Sequence, residues 1–525
     1  MTARLRRRTL VTAALLLLAF VHGWHFRQHL TDDAFIPFRY LANLFAGHGL
    51  VYNPGERVWG YTNFLWIALL APPIAGGIDP LAAARALGVL SNAVVLAWML
   101  ALPPAGVDMT RRWNPAGAAL LATSGPFLLQ ALSGLETAFF SLLVLATLEL
   151  YGRARQLGSW QPLAAGLMAA LAMLTRPEAS LLFGLLVADA ILERRTSATP
   201  LRWQLGGLLL GFAPLVLVYE ASMGSYYAAL WPNSVDAKVG LSLEQLRRWL
   251  HYAAVFAVHY PVYFVVPLAA ALRWKSAGPH QRLLLRAAAL FAFYPVAVGG
   301  DWMLGYRLFH PLIVIDAALV PFVLAGVEGW THRRIPARAA TAGLAALFCA
   351  ANLGATFRDP HVVVATQRTL VYAGIRIGKW MHTNLPSDSV LATNTAGSIP
   401  YYSQLRVIDM MGLNDRAIAQ RRDLPEGWKG IEKGDGRYVL SLRPDYIQLG
   451  SFRGSPVPLF LSDIELYATE EFHRRYEFVQ LEVDSETTLR IWRRREQERS
   501  PLGDEELARI RRIAERQLEL SAFRY

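Results

Sequence analysis

The sequence predicts a polytopic α-helical membrane protein of about eleven spans, with juxtamembrane helices in its first loop and a C-terminal α/β domain. Three observations lead there. Of 525 residues, 54% are hydrophobic and 18% charged, where a soluble domain carries about 25% charged residues. Long apolar runs recur as far as residue 356 and then stop. Lys and Arg number 52 against 40 Asp and Glu, a net charge of +12. Nucleic-acid binding and Arg-rich membrane loops both produce such an excess, and the apolar content selects the second. The same content excludes disorder. A single cysteine, Cys349, excludes a disulfide framework and any cysteine-based zinc site.

The first apolar run, 10–24, follows Arg4, Arg6, Arg7 and Arg8. It has the layout of a signal peptide, but no small-x-small cleavage site follows. It reads as an uncleaved first span with a cytoplasmic N-terminus. Further spans are expected at 86–106, 116–131, 136–151, 162–175, 178–193, 203–222, 250–272, 284–300, 307–327 and 337–356. The run 63–77 is short and broken by Pro72-Pro73. Charge decides its place. If it lies along the surface, every cytoplasmic loop is basic: Arg111 and Arg112; Arg153 and Arg155; Arg194, Arg195 and Arg202; Arg273, Lys275, Arg282 and Arg286; Arg333, Arg334 and Arg338. If it crosses, all these loops face outward, against the positive-inside rule.

The chain therefore divides into a membrane module, 1–356, and a soluble extracytoplasmic domain, 357–525. The second part holds 25 basic and 24 acidic residues, so nearly all the excess charge belongs to the first. A helix is expected over 366–384, strands over 390–393, 446–449, 476–483 and 488–492, and an amphipathic helix after Pro501.

Six outer segments, two of them in the first loop, carry acids, cations and aromatics. The first loop has Asp32-Asp33, Arg39, Tyr61 and Asn63. Later turns have Glu136; Arg176 and Glu178; Tyr226, Tyr227, Trp231, Asn233 and Lys238; and Asp301 with Arg307. Ionisable groups at the hydrocarbon edge are costly, so they mark function. Adjacent carboxylates beside the membrane suit a general base or a divalent-cation ligand. Arg176, Lys238 and Arg307 suit a phosphate leaving group. His22, His25, His48 and His310 lack the spacing of a zinc site.

At these residues the sequence resembles the GT-C membrane glycosyltransferases. Asp32-Asp33-Ala34-Phe35-Ile36 with Phe38-Arg39-Tyr40 is similar to their first-loop motif, as are the stretches 49–58 and Gly60-Tyr61-Thr62-Asn63. The branch it resembles is that of the terminal β-(1→2) arabinofuranosyltransferases. Gly134-Leu135-Glu136-Thr137-Ala138, Arg176-Pro177-Glu178, Pro232-Asn233, Gly300-Asp301-Trp302 and 411–415 are similar to further blocks of that branch. Trp59 departs from it, standing where an acid or small residue is expected.

The resemblance implies an inverting transferase of the bacterial plasma membrane, working on the outer face. Its donor would be a polyprenyl-phosphate sugar, with arabinofuranose first and mannose or another sugar second. Its acceptor would be a cell-envelope glycan or glycoconjugate. Asp32 or Asp33 would be the base, Asp32 in the first instance, with Asp33 then orienting the acceptor or a divalent cation. Arg176, Lys238 and Arg307 would bind the donor phosphate. Arg39, Tyr61, Asn63, Glu136, Glu178, Tyr226, Tyr227, Trp231, Asn233 and Asp301 would contact substrate. A carrier or flippase of lipid-linked sugars and a glycan-binding scaffold are the competing classes. A carrier calls for charged or broken helices at the midplane and two related halves, neither of which is visible in the sequence.

Overall fold

The computed structural model describes residues 3–101, 113–157, 160–238, 243–301, 303–330, 337–366, 370–424 and 433–522. Arg111, Arg112, Trp302, Arg333 and Arg334 lie outside the described residues, as do the side chains of Arg155 and Arg338.

The chain is an integral membrane protein. Among the described residues six helices are long and apolar enough to cross a bilayer: Arg6–His25, Pro80–Leu100, Leu201–Tyr227, Pro279–Val298, Arg307–Gly326 and Ala339–Thr356. A bent pair, Leu246–His259 and Val262–Leu272, makes a seventh if it forms one span. That is fewer than the eleven expected, for local reasons. The pair bends by 92° because Pro261 stands at the joint with no N–H to continue the ladder. The expected span 116–131 is two helices, Pro115–Ala122 and Gly125–Gln130. Ser124 restarts the second by accepting a hydrogen bond from the Phe127 N–H. Gln161–Thr175 and Ala179–Leu192 are apolar but shorter than the usual span, and Thr137–Leu157 occupies the expected 136–151 region. Phe64–Ala75 has 12 residues, about 18 Å of helix against about 30 Å of hydrocarbon, and buries Trp66, Ile67 and Leu70.

Small residues set the tightest helix crossing. A Cβ on Gly166 would meet the Leu208 carbonyl oxygen at 2.3 Å, and one on Gly211 would meet that of Leu163 at 2.1 Å. Glycine at these places lets Gln161–Thr175 and Leu201–Tyr227 touch backbone to backbone. At one end of the bundle Arg286 bridges Asp189 and Glu193, and His280 meets Glu149 at 3.1 Å.

The C-terminal region holds a five-stranded mixed sheet. Its strands are β1 (Val390–Thr393), β2 (Arg406–Asp409), β3 (Tyr446–Gln448), β4 (Tyr476–Asp484) and β5 (Thr487–Arg494), in the order β2-β1-β3-β5-β4. β1 runs parallel to β2 and β3, while β5 is antiparallel to β3 and β4. Helix Leu370–Asn384 packs beside it, and the last helix is Asp504–Ala522.

This region does not stand apart from the first loop. One core joins Phe35, Phe38, Tyr52 and Trp59 of the loop with Ile399, Val407, Leu489 and Ile491 of the C-terminal region. Arg39 ties them together. It donates to the carbonyls of Tyr52 (2.7 Å), Leu405 (2.7 Å) and Pro400, and to Asn53 Oδ1 (3.0 Å).

Candidate active site

The first helix ends at His25, and the 3-10 turn Asp32–Ala34 leads straight into helix Phe35–Phe45. Consecutive residues of a 3-10 turn point about 120° apart. Asp32 and Asp33 therefore face different neighbours.

Asp32 faces the C-terminal region. Its carboxylate accepts from the Gly397 N–H (2.9 Å), the Ser398 N–H (2.8 Å) and the Ser398 hydroxyl (2.5 Å). It is buried, and burial pushes its pKa up to about 6, against the pull of the Ser398 and Gly397 donors. A Cβ on Gly397 would fall 1.9 Å from the Asp32 carbonyl oxygen, so no larger residue fits the joint.

Asp33 lines a cleft of about 450 Å³ between the first loop and the helix ends. The cleft brings it together with Tyr61, Asn63, Glu136, Arg176, Glu178, Asp301 and Arg307. Two glycines bring their turns close. Gly134, with φ of +85°, lets the Glu136 turn press on Ala34, which a Cβ there would approach to 2.8 Å. Gly300, at φ +83°, passes Tyr252 just before Asp301.

The charges are interlocked. Arg176 caps helix Gln161–Thr175, meets Glu136 Oε1 at 2.8 Å through Nη1, and pairs with Glu178 through Nε. Asn63 Nδ2 donates to the other Glu136 oxygen at 2.9 Å. Arg307 pairs with Asp301 through Nε, leaving its two Nη groups unused by that pair. Tyr306, in the left-handed region at φ 53°, sets the turn that presents Arg307. Four carboxylates (Asp33, Glu136, Glu178, Asp301) thus share the cleft with two guanidiniums. Leu181, Pro177 and Val298 line it as well and give it an apolar side.

The other expected site residues sit elsewhere. Arg39 is buried in the tether to the C-terminal region, so it is not available to a substrate. Tyr227 is buried behind the cleft, where its hydroxyl donates to the Leu50 carbonyl at 2.6 Å and meets the Tyr61 hydroxyl at 3.2 Å. Tyr226 accepts from the Leu50 N–H at 3.1 Å and carries Arg57 on its ring. Trp231 and Asn233 line a second pocket. Lys238 closes the short helix Asn233–Lys238, and its side chain lies outside the described residues. Trp59, the departure from the motif, is buried and stacks on Tyr227 with ring centroids 5.7 Å apart. A shared Asp32–Asp33 cation site does not fit this geometry, because both Asp32 oxygens already accept hydrogen bonds. Among the described residues no group of three or more His, Cys, Asp or Glu side chains is placed to hold a metal ion.

The sequence reading missed Tyr294, Ser234 and Leu413 as lining residues. Tyr294 was hidden in the apolar run 284–300. Leu413 lies in the 411–415 block, whose Asn414 is bonded to the Tyr40 hydroxyl at 3.2 Å and to Asp409.

Two curated relatives align with the chain that carries this cleft. The terminal β-(1→2)-arabinofuranosyltransferase of Corynebacterium glutamicum is 29% identical over 372 residues, 61% of this chain and 53% of that protein. Its counterpart in Mycobacterium tuberculosis is 27% identical over 355 residues, 58% of this chain and 55% of that protein. The chain is similar to the terminal β-(1→2)-arabinofuranosyltransferases. It spans about half the length of the curated relatives it matches. Residues 362–500 match a family described as a domain of unknown function (DUF8728). Among solved structures, ArnT of Cupriavidus metallidurans bound to undecaprenyl phosphate gives a TM-score of 0.47 at 13% identity, covering 76% of this chain and 85% of that one. AglB of Archaeoglobus fulgidus, in complex with an inhibitory peptide and a dolichol-phosphate, gives 0.48 at 13% identity, covering 75% and 64%.

Proposed function

We propose that the chain is a GT-C-type inverting glycosyltransferase that moves a sugar, arabinofuranose in the first instance, from a polyprenyl-phosphate donor to a cell-envelope glycan. The observation that carries this reading is the cleft itself. It combines a carboxylate, Asp33, with two guanidiniums, Arg176 and Arg307, and an apolar side at Leu181 and Val298. A lipid-linked phosphosugar has the matching parts: an apolar tail, a phosphate and a polar sugar. Similarity to two arabinofuranosyltransferases supports the choice of sugar.

In this reading the acceptor hydroxyl attacks the anomeric carbon, and Asp33 takes its proton. The bond from that carbon to the phosphate oxygen breaks, so polyprenyl phosphate leaves with the electron pair. Charge grows on the phosphate as the bond breaks. The Nη groups of Arg307 and the remaining donors of Arg176 are the candidates to meet it. One base opposite the leaving group inverts the anomeric centre. The base is Asp33, since Asp32 is committed to the C-terminal region. Glu136, Glu178 and Asp301 hold the two arginines in place, with Asn63 behind Glu136.

The reading includes a side. The basic connectors 152–155, 194–202 and 273–286 belong to the cytoplasm with the N-terminus, so the cleft and residues 357–525 lie outside it, in a bacterial plasma membrane. Residues 1–356 form the catalytic module and 357–525 the soluble domain docked on its first loop.

The test is transfer by purified full-length chain from a panel of polyprenyl-phosphate sugars to an arabinan acceptor, resolved by thin-layer chromatography. A labelled product with the arabinose donor, absent with the mannose donor, is expected. Turnover of none of the donors, beside a positive-control transferase, would overturn the proposal.

A further inference from the structure

Helix Leu201–Tyr227 ends at Ala228, a left-handed residue with φ of 49°. The chain turns there and walls a second pocket, of about 440 Å³, against the C-terminal segment that carries Arg416 and Gln420. Three side chains give this pocket its chemistry. Trp231 is 49% exposed, and its indole N–H donates to Asp236 Oδ1 at 2.8 Å, which fixes the ring by its edge. Asn233 is 3% exposed, and its Nδ2 has no hydrogen-bond partner among the described residues. Arg416 is oriented by a 2.7 Å bond from Nη2 to the Tyr227 carbonyl.

The pocket differs from the cleft in charge. Its lining has one acid and one base, Asp236 and Arg416, whereas the cleft has two more carboxylates than cations. A neutral ligand fits such a lining better than a phosphate. A sugar ring offers an apolar C–H face to an anchored indole and hydroxyls that donate to Asp236 and accept from Asn233, Gln420 and Arg416. Few, fixed polar groups beside an aromatic wall are the make-up of a small-ligand site.

We infer that this pocket binds neutral sugar residues of the acceptor glycan, one or more units away from the hydroxyl that reacts. The inference rests on the glycosyl-transfer reading above and adds where the rest of the acceptor lies. Continuity along the chain supports it. Asn233 lines the pocket and the next residue, Ser234, lines the cleft, so the two sites meet across one peptide of about 3.8 Å. A glycan chain entering the cleft by one end can lay its following units on Trp231.

The experiment compares a di- and a hexa-arabinofuranoside as acceptors for the full chain in nanodiscs, in transfer and in direct calorimetric binding. For Trp231→Ala the ratio of hexasaccharide KM to disaccharide KM should rise about tenfold, with hexasaccharide binding weakened to match. Gln420→Ala, a change at an exposed residue, should move both readouts the same way by a few-fold. Equal ratios in wild type and both variants would overturn the inference and assign Trp231 to the bilayer surface. If the wild type transfers no sugar but binds the hexasaccharide through Trp231, the subsite stands and the transferase reading falls. If it neither transfers nor binds, both fall.

Discussion

Replacing Asp32 with alanine removes the acceptor for three buried donors at once: the N–H groups of Gly397 and Ser398 and the Ser398 hydroxyl. Each donor left without a partner costs about 1–3 kcal/mol. The hydroxyl can rotate and water can enter the space, so a net loss of about 3–5 kcal/mol is expected at this joint. Every ~1.4 kcal/mol is a factor of ten, so amide exchange in the segment 395–403 should quicken by roughly a hundred- to a few-thousandfold. Asparagine keeps one acceptor oxygen and should lose about 1–3 kcal/mol. The assay is hydrogen–deuterium exchange of full-length chain in nanodiscs, paired with a transfer rate for each variant. Asp32→Asn should retain transfer within about tenfold, since a joint is loosened and no reacting group is lost. Asp33→Asn should lose about a hundred- to ten-thousandfold, the usual weight of a general base. Unchanged exchange in 395–403 together with abolished transfer in Asp32→Asn would refute this division of labour and return the base to Asp32.

Three further outcomes are expected. Arg39→Ala should lower the melting temperature of the C-terminal region more than Asp32→Asn, because four acceptors lose a buried cation, and donor KM should stay within a few-fold; a large KM change with unchanged melting would mean that Arg39 meets substrate. Glu136→Gln takes a charged partner from both Arg176 and Asn63, at about 1–3 kcal/mol, and should raise donor KM while Glu178 keeps part of the hold on Arg176. The third outcome concerns pH. Burial pushes Asp32, Asp409 and Asp463 up to about 6 from an ordinary 3.8. Each binds its proton more tightly in the folded chain, so the stability it contributes is complete below about pH 4 and is lost as pH rises through about 6. Half-buried Glu477, lowered by its hydrogen bond from Arg493, and Asp484, lowered first by the Glu486 N–H, act in the opposite sense below about pH 4, and His473, lowered by burial, opposes the trend more weakly, as a single group, below its ordinary 6.5. The C-terminal region should therefore melt higher at pH 5 than at pH 7.5, and Asp32→Asn should narrow the difference. A difference of the other sign, measured by calorimetry, would contradict the assignment.

Much of this architecture was legible in sequence. Runs of apolar residues locate the membrane helices, because hydrocarbon demands length and composition. Prolines and caps are harder to weigh: Pro261 bends one apolar run by 92°, and Ser124 divides another, although both runs look continuous to hydropathy. The strands β1 and β3 to β5 follow from β-rich or alternating patterning, whereas β2 has four residues with a charge at each end, Arg406 and Asp409, and carries little signal. In the candidate site, the sequence points to turns that the fold brings to one cleft, since polar groups at helix ends are costly. It cannot tell which of two adjacent acids faces the cleft. Asp32 and Asp33 have the same neighbours in sequence, and their separation depends on Gly397 and Ser398, about 365 residues away. Arg39 and Tyr227 look functional for the same reason, an expensive polar group in an apolar setting, and their cost is met within the core.

The most direct test is the linkage formed by the purified chain from polyprenyl-phosphate arabinofuranose and a defined acceptor, read by nuclear magnetic resonance. The account predicts a single new glycosidic bond of anomeric configuration opposite to the donor's, formed by wild type and Asp32→Asn and lost in Asp33→Asn. A product that keeps the donor's configuration, or one formed at the wild-type rate by Asp33→Asn, would contradict it.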